Sequence, residues 1–228
     1  MSKLIFDAPL DRKYENGVDH AVLYTLSSNK WKGYAWNGMT SIDVSPDGGE
    51  AQALWADNMK YANMRGAVSY AATINCYSFP EEFNACLGNV EVVAGSGVYA
   101  HEQEGAPFRI VYRTALNDAQ RGRYGYRYHV VYNLTCDPSD ITYDTIDDSP
   151  DGVEFGFDVE GTPITHTASG KSCCEWTFDV VDKDKRGSSD GAKYTKLDAI
   201  VDKLYGTDAP EADAECPDVD ELFTGLST

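Results

Sequence analysis

Residues 124–135 read YGYRYHVVYNLT, and their alternation is the strongest structural signal in the chain. Large apolar or aromatic side chains stand at every second position from Tyr124 to Leu134, with mostly polar or small residues between them. A period of two is typical of a β-strand that covers a core with one face. Residues 68–76, VSYAATINC, repeat the pattern. We therefore expect a β-strand at each place, with one buried face.

Shorter stretches of strand-forming residues lie on both sides of these two, separated by clusters of Gly, Asp, Pro and Asn that favour turns. The further predicted strands are residues 18–26, 34–44, 50–60, 90–95, 107–115, 140–146, 152–160 and 173–182. No helical segments alternate with them, so the strands predict antiparallel pairing. The predicted fold class is mainly β, an antiparallel β-sandwich or half-barrel.

Helices are expected mainly near the end of the chain. Residues 191–205 place Leu197, Ile200, Val201 and Leu204 on one helical face, and Gly206 is suited to end the helix. One or two short helices are expected besides, at residues 80–87 and 218–222. The chain is then divided into an N-terminal arm (1–17), a β domain (18–206) and an acidic C-terminal tail (207–228).

The charge balance limits what the chain can bind. It has 228 residues, of which 19 are basic and 37 acidic, and its formal net charge is −18. Tight nucleic-acid binding depends on Lys and Arg that neutralise phosphates, so this balance argues against it. No apolar run approaches the roughly 18 residues of a membrane helix, and the first residues lack a signal-peptide core. We therefore expect synthesis in a cytoplasm and no membrane partner.

Motifs for catalysis, metals and cofactors are incomplete. His101-Glu102 lacks the second histidine of a zinc protease helix, since position 105 is glycine. Asp182 and Asp184 resemble the start of an EF-hand loop, but Lys193 stands where calcium needs a glutamate. The six cysteines include no CxxC pair and are expected to be free, buried side chains. We predict no enzyme activity, no cofactor and no metal site.

Charge is unevenly distributed along the chain. Residues 137–170 contain no Lys or Arg, whereas five arginines fall between positions 109 and 127. The distribution fits solvated loops of mixed charge, and it also fits two complementary patches that join copies of the chain head to tail. The second interpretation makes subunit-interface candidates of Arg109, Arg113, Arg121, Arg123, Arg127, Asp147, Asp148 and Asp151.

Several segments together resemble, in the family's order, the major tail tube proteins of long-tailed (siphovirus-type) bacteriophages. They are residues 35–50 (AWNGMTSIDVSPDGGE), 55–61 (WADNMKY), 72–83 (ATINCYSFPEEF), 126–132 (YRYHVVY), 146–150 (IDDSP) and 204–208 (LYGTD). The family's K-P-T-A run before the last strand is missing, and residues 170–174 (GKSCC) occupy its place.

The resemblance implies a structural subunit of a virion. Six copies would form a ring, rings would stack into a tail tube assembled in the host cytoplasm, and DNA would pass through the lumen without specific binding. The expected partners are further copies of the chain, a tape-measure protein, and the tail terminator and distal tail proteins. An acidic bore would repel phosphates and keep DNA mobile. Lumen-lining candidates are Glu50, Gln52, Asp57 and Asn58.

Two other functions fit the sequence. Fifteen tyrosines and four tryptophans on a β-sandwich could stack on sugars, as in a carbohydrate-binding module. The tube of a contractile or secretion-type machine would also form hexamers, with a sheath as an additional partner.

Overall fold

A computed structural model of the chain describes residues 12–48, 52–64, 68–93, 95–101, 103–120, 122–137, 152–186, 191–208 and 211–224. The described part is mainly β, its sheets are antiparallel, and it contains two α-helices. The predicted fold class is therefore confirmed at the level of a mainly-β, antiparallel protein with few helices. Among the described residues, no helix is long and apolar enough to cross a membrane.

Seventeen strands are present in the described residues. They are β1 Lys13–Ser27, β2 Lys30–Trp36, β3 Met39–Val44, β4 Asp47–Gly48, β5 Gln52–Ala56, β6 Met59–Met64, β7 Val68–Cys76, β8 Val90–Glu91, β9 Tyr99–Ala100, β10 Phe108–Asp118, β11 Gly122–Cys136, β12 Phe155–Gly161, β13 Ile164–His166, β14 Lys171–Cys173, β15 Glu175–Val181, β16 Thr207–Asp208 and β17 Glu211–Ala212. The helices are α1 Gly191–Tyr205 and α2 Val219–Leu222, with short 3₁₀ helices at Glu81–Ala85 and Lys183–Lys185.

One sheet organises the molecule. Its strand order is β2-β1-β10-β11-β12-β7-β3, with β15 paired to β11 and β4 paired to β7. β11 pairs with β15 along Gly125–Val131 and with β12 from Leu134 onward. β3, at one end of the sheet, also contacts β1, which is next to the other end. The sheet is therefore curled.

The sheet buries side chains on both faces. On the concave face, Leu23, Ile74 and Phe157 pack around Phe83, which belongs to the 3₁₀ helix Glu81–Ala85. The ring centroids of Phe83 and Trp36 are 4.6 Å apart. On the other face Val130 and Tyr132 of β11 pack under α1 and α2. The expectation of one buried face is therefore wrong for β11, because the face opposite its alternating apolar residues also packs into a core, through Val131.

The predicted α1 is confirmed over residues 191–205. Leu197, Ile200 and Leu204 are buried against the sheet, and Gly206 ends the helix with a positive φ of 77°. Residues 80–87 contain a 3₁₀ helix at Glu81–Ala85, and the short helix predicted at 218–222 is α2. These segments were identifiable because caps, glycine and apolar spacing act locally.

Several strand boundaries differ from prediction. Residues 34–44 are divided between β2 and β3, because Gly38 adopts a φ of 80°. Residues 50–60 were predicted as one strand, which is wrong: β5 and β6 form a hairpin that turns at Asp57-Asn58. Strand β8 covers only Val90–Glu91 of the predicted 90–95, and the predicted strand 140–146 lies outside the described residues.

Both ends of the described chain join the sheet. β1 begins at Lys13, within the expected N-terminal arm. In the expected acidic tail, Cys216 and the α2 residues Val219 and Leu222 are buried in the core between the helices and the sheet. The Gly33 N–H donates to Ala214 O at 2.8 Å, and a side chain at position 33 would collide with Ala214. This segment thus covers the outer edge of β2.

Candidate assembly surfaces

Three neighbouring strands, β3, β7 and β12, present an acidic surface on the side away from the concave core. Alternation turns Ile42, Ile74 and Phe157 inward and the residues between them outward. We name the outward set the acidic face, and its members are Ser41, Asp43, Ala71, Thr73, Asn75, Gly156, Asp158 and Glu160. The strand register places Asp43, Thr73 and Asp158 side by side.

Hydrogen bonds fix the side chains of the acidic face. The Asn75 amide donates to Ser41 Oγ at 2.9 Å and to Asp43 Oδ2 at 3.0 Å. The Thr73 hydroxyl donates to Asp158 Oδ1 at 2.6 Å. Neutral donors therefore hold both carboxylates in place and leave their negative charge uncompensated by these contacts.

No basic residue occurs in β3, β7 or β12. Asp43, Asp158 and Glu160 are solvent-exposed. Fixed negative charge repels another polyanion, and without Lys or Arg there is nothing to hold a phosphate. The acidic face is thus suited to lie close to nucleic acid without binding it.

The predicted lumen residues lie elsewhere. Gln52 is in β5, and Asp57 and Asn58 form the turn between β5 and β6, so none belongs to the acidic face. Glu50 lies outside the described residues. Their place in a bore stays a prediction. Sequence reasoning missed Asp43, Asp158 and Glu160, although each alternates with apolar neighbours in a strand without Lys or Arg.

The β5–β6 hairpin forms a two-stranded sheet of its own. Its large apolar side chains face solvent, with Trp55 70% and Tyr61 74% exposed, and Leu54, Met59 and Met64 are exposed too. An isolated two-stranded hairpin is marginally stable in water. Such a cluster of exposed aromatic and methionine side chains marks an interaction site.

Apart from the two-residue strand β4, two strands of the main sheet have a hydrogen-bonded neighbour on one side only, within the part of the chain that the structure describes. β3 pairs with β7 alone, and β15 pairs with β11 alone. Two grooves of about 440 and 390 Å³ adjoin β15, and Thr177 and Phe178 line both. Unpaired strand edges accept strands from other chains, so both edges are candidate contacts between copies.

The arginines predicted as an interface patch make intramolecular ion pairs. Arg113 binds Asp19, with its Nε 2.6 Å from Oδ1, and Arg127 binds Asp179, with 2.7 Å between Nε and Oδ1. Arg123 lies 3.5 Å from Asp182. Their role between subunits stays a prediction, and these pairs leave less free positive charge than the sequence suggests. Outside the described residues lie Arg121, Asp147, Asp148 and Asp151.

Arg109 is not a surface residue, and its assignment to an interface patch is wrong. It is 3% exposed, and its guanidinium lies 4.0 Å from the ring centroid of Trp31 and 4.9 Å from that of Tyr132. It donates to Asp218 and to the carbonyl oxygen of Cys216. Arg109 thus fastens the C-terminal segment to the sheet.

A polar cluster surrounds His129 on the concave side. His129 Nδ1 lies 2.6 Å from Glu175, its Nε2 lies 3.3 Å from the Thr114 hydroxyl, and its ring stacks on Tyr112. Sequence reasoning did not identify this cluster, because its members come from separate strands. The Thr114 hydroxyl donates to Glu15, so His129 does not receive its proton. The cluster ties β1, β10, β11 and β15 together.

All six cysteines are free. Cys76, Cys86, Cys174 and Cys216 are buried, and burial raises the pKa of the Cys86 thiol to about 12. A thiol with so high a pKa is protonated and unreactive at neutral pH. Among the described residues, no group of His, Cys, Asp and Glu is arranged to hold a metal ion.

Comparison with protein-family models and with curated proteins finds no match to this chain. The assignment to a family therefore depends on the segments quoted above, and the function depends on the acidic face, the β5–β6 hairpin and the strand edges.

Proposed function

We propose that the chain is a structural subunit that self-assembles into stacked rings and forms the tail tube of a long-tailed bacteriophage. The acidic face lines the bore. The observation that carries the proposal is this face: three adjacent strands expose Asp43, Asp158 and Glu160 and contain no basic residue. A tube that conducts DNA needs such a lining, because cations would retain the phosphates.

The edge strand β3 supports ring formation. It belongs to the acidic face and pairs with β7 alone among the described residues. If β3 pairs with a strand of the next copy, the acidic surface continues into that copy. Pairing of edges around a ring also removes their tendency to aggregate.

Charge supports mobility of the DNA. With six copies, as the family resemblance implies, a ring carries 6 × −18 = −108 formal charges. Repulsion acts over a Debye length of about 8 Å at physiological salt, so it keeps a duplex away from a narrow wall. We propose the virion as the location, and a tape-measure, a terminator and a distal tail protein as partners. The function requires no catalysis and no cofactor.

Electron microscopy of the purified protein in negative stain tests assembly. We expect rings or tubes with a central hole. A protein that stays monomeric at high concentration and physiological salt would contradict the proposal.

Reversal of charge tests the bore. We expect the triple variant Asp43→Lys, Asp158→Lys, Glu160→Lys to assemble and to retain duplex DNA, which the wild type releases. The matched control changes the net charge equally at exposed sites elsewhere, with Asp184→Lys, Asp202→Lys and Asp213→Lys. If control and triple variant retain DNA equally, the acidic face does not line the bore.

One groove favours a second candidate function, carbohydrate binding. Trp176, Phe178 and Phe223 line the 390 Å³ groove beside β15, together with His166 and Lys171. Aromatic rings next to polar side chains are typical of sugar sites. Binding of the monomer to a glycan array, lost in Trp176→Ala, would favour this function over the tube.

A further inference from the structure

Two small hairpins expose apolar side chains near opposite ends of β7. Along the chain, the β5–β6 hairpin comes after β4 and before β7. β4 pairs with Val68, so the hairpin is connected to that end of β7. The β8–β9 hairpin follows the 3₁₀ helix that comes after Cys76, at the other end. Nine residues of β-strand span roughly 26 Å, at about 3.3 Å per residue. The two hairpins therefore connect to opposite ends of β7.

The β8–β9 hairpin is apolar and held in one shape. Val90, Val92, Val93 and Val98 are exposed. The Val92 N–H donates to Val98 O at 2.8 Å, which closes the hairpin. A surface that is already ordered loses little conformational entropy when it binds.

The tip of this hairpin is fixed by one carboxylate. Glu91 accepts hydrogen bonds from the N–H groups of Gly97 at 2.7 Å and Gly95 at 3.0 Å. At the base, the Tyr99 hydroxyl donates to Glu81 at 2.7 Å and joins the hairpin to the 3₁₀ helix. The valines are thus presented by a defined scaffold.

The two ends differ in charge, one being neutral and the other acidic. The described residues of the β5–β6 hairpin carry Asp57 and Lys60, so the hairpin is neutral and presents one exposed cation. Next to the β8–β9 hairpin the 3₁₀ helix exposes Glu81 and Glu82, and Glu104 is exposed in the loop that follows. On a chain of net charge −18, the neutral hairpin with Lys60 meets less repulsion at this end than an acidic surface would.

We propose that the β8–β9 hairpin and the adjoining 3₁₀ helix form the docking surface for the β5–β6 hairpin of a second copy. This inference rests on the proposed function, because it takes the partner to be another tube subunit. The two surfaces differ, so the contact is heterologous and repeats without closing. It sets the direction of stacking along β7 and gives the stack two unlike ends.

Two variants, each with one surface disabled, test the contact. Trp55→Lys disables the β5–β6 hairpin, and Val92→Asp disables the β8–β9 hairpin. Negative-stain microscopy should show that each variant alone loses stacking. In an equal mixture, the Val92 variant still has an intact β5–β6 hairpin and the Trp55 variant still has an intact β8–β9 hairpin, so these two surfaces should bind each other. The remaining two surfaces of such a pair are disabled, so growth should stop at two layers.

Controls separate this inference from the proposed function. Leu26→Lys changes an exposed apolar residue outside both hairpins and should stack like the wild type. Near-ultraviolet circular dichroism checks that each variant is folded. If Trp55→Lys fails this check, Tyr61→Ser replaces it, and if Val92→Asp fails, Val93→Ser replaces it. If the wild type forms no rings or tubes, the proposed function fails. If the wild type stacks but the disabled variants also stack, or their mixture yields no pairs, the docking inference alone is overturned.

Discussion

A buried cation, Arg109, connects the C-terminal segment to the sheet. Its partner Asp218 remains exposed, so the pair avoids the cost of burying two charges. The guanidinium instead stacks between Trp31 and Tyr132 and donates to the carbonyl oxygen of Cys216, which is a fully buried residue. Arginine is suited to this place because its planar group can stack and donate at the same time.

Substitution of Arg109 should therefore loosen the C-terminal segment. We expect Arg109→Ala to lower the free energy of unfolding by about 3 kcal/mol, since it leaves a buried carbonyl without a donor and a cavity between two rings. Arg109→Lys should lose about half as much, because it keeps the charge but not the planar fork. Urea unfolding measures both. Equal stability of Arg109→Ala and wild type would show that the segment is held by other contacts.

Glu91 should make the tip of the β8–β9 hairpin sensitive to acid. Hydrogen bonds from the N–H groups of Gly97 and Gly95 lower the pKa of Glu91 below its ordinary value of 4.5. A lowered pKa in the folded state means that the stabilisation is complete above the unfolded pKa and is lost as the pH falls through the folded pKa. The Gly95 and Gly97 amide resonances should shift together with a midpoint below 4.5. In Glu91→Gln this transition should be absent; if it remains, another group titrates.

Individual residues show why the sequence reveals only part of the site. Arg109 was predicted in an interface patch because five arginines fall between positions 109 and 127, but its contacts come from β2, β11 and the C-terminal segment. The partners of His129, Glu175 and Thr114, likewise come from other strands. Contacts between distant segments leave no local pattern, so sequence reasoning cannot find them.

At the scale of elements, turn chemistry explains the β5–β6 hairpin. Asp57 and Asn58 have positive φ values of 50° and 59°, as a two-residue type I′ turn requires. Asn and Asp tolerate this conformation better than other side chains do. The Asp-Asn pair was therefore a readable turn signal, and the prediction of a single strand at 50–60 overlooked it.

The turn offers a test of the hairpin that leaves the core intact. Asn58→Val places a β-branched residue at a positive φ, which costs about 1–2 kcal/mol locally. We expect this variant to lose stacking while the midpoint of global unfolding changes little, because the hairpin lies outside both cores. Asn58→Gly accepts the same φ and should assemble normally. Unimpaired stacking by Asn58→Val would argue that assembly does not use the hairpin.

Strand β11 shows how far periodicity predicts packing. Alternation placed the strand correctly, but the side chains on both faces are buried, with Val131 in one core and Val130 and Tyr132 in the other. A bulge at Asn133, with a φ of 49°, then turns Leu134 to the concave side together with Val131. Periodicity identifies the strand and the face that α1 and α2 cover, whereas burial of the opposite face depends on residues of distant strands that form the concave core.

At the scale of the whole molecule, apolar surfaces and charge act in opposite directions. Association is favoured by the β5–β6 and β8–β9 hairpins and by the edges of β3 and β15 that have no partner strand among the described residues. A net charge of −18 opposes association between identical copies. The charge that the proposed bore would use to repel DNA therefore makes assembly more difficult at low ionic strength.

Salt should therefore promote assembly. The Debye length falls from about 30 Å at 0.01 M salt to about 8 Å at 0.15 M, so repulsion between copies weakens while apolar contacts and strand pairing persist. We expect sedimentation velocity to show mostly monomer at the lower salt and rings or stacks at the higher. The triple variant Asp43→Lys, Asp158→Lys, Glu160→Lys, with net charge −18 + 6 = −12, should assemble at lower salt than the wild type. Dissociation as the salt rises would mean instead that ion pairs hold the copies together, and the predicted arginine and aspartate patches would then become the leading candidates for the interface.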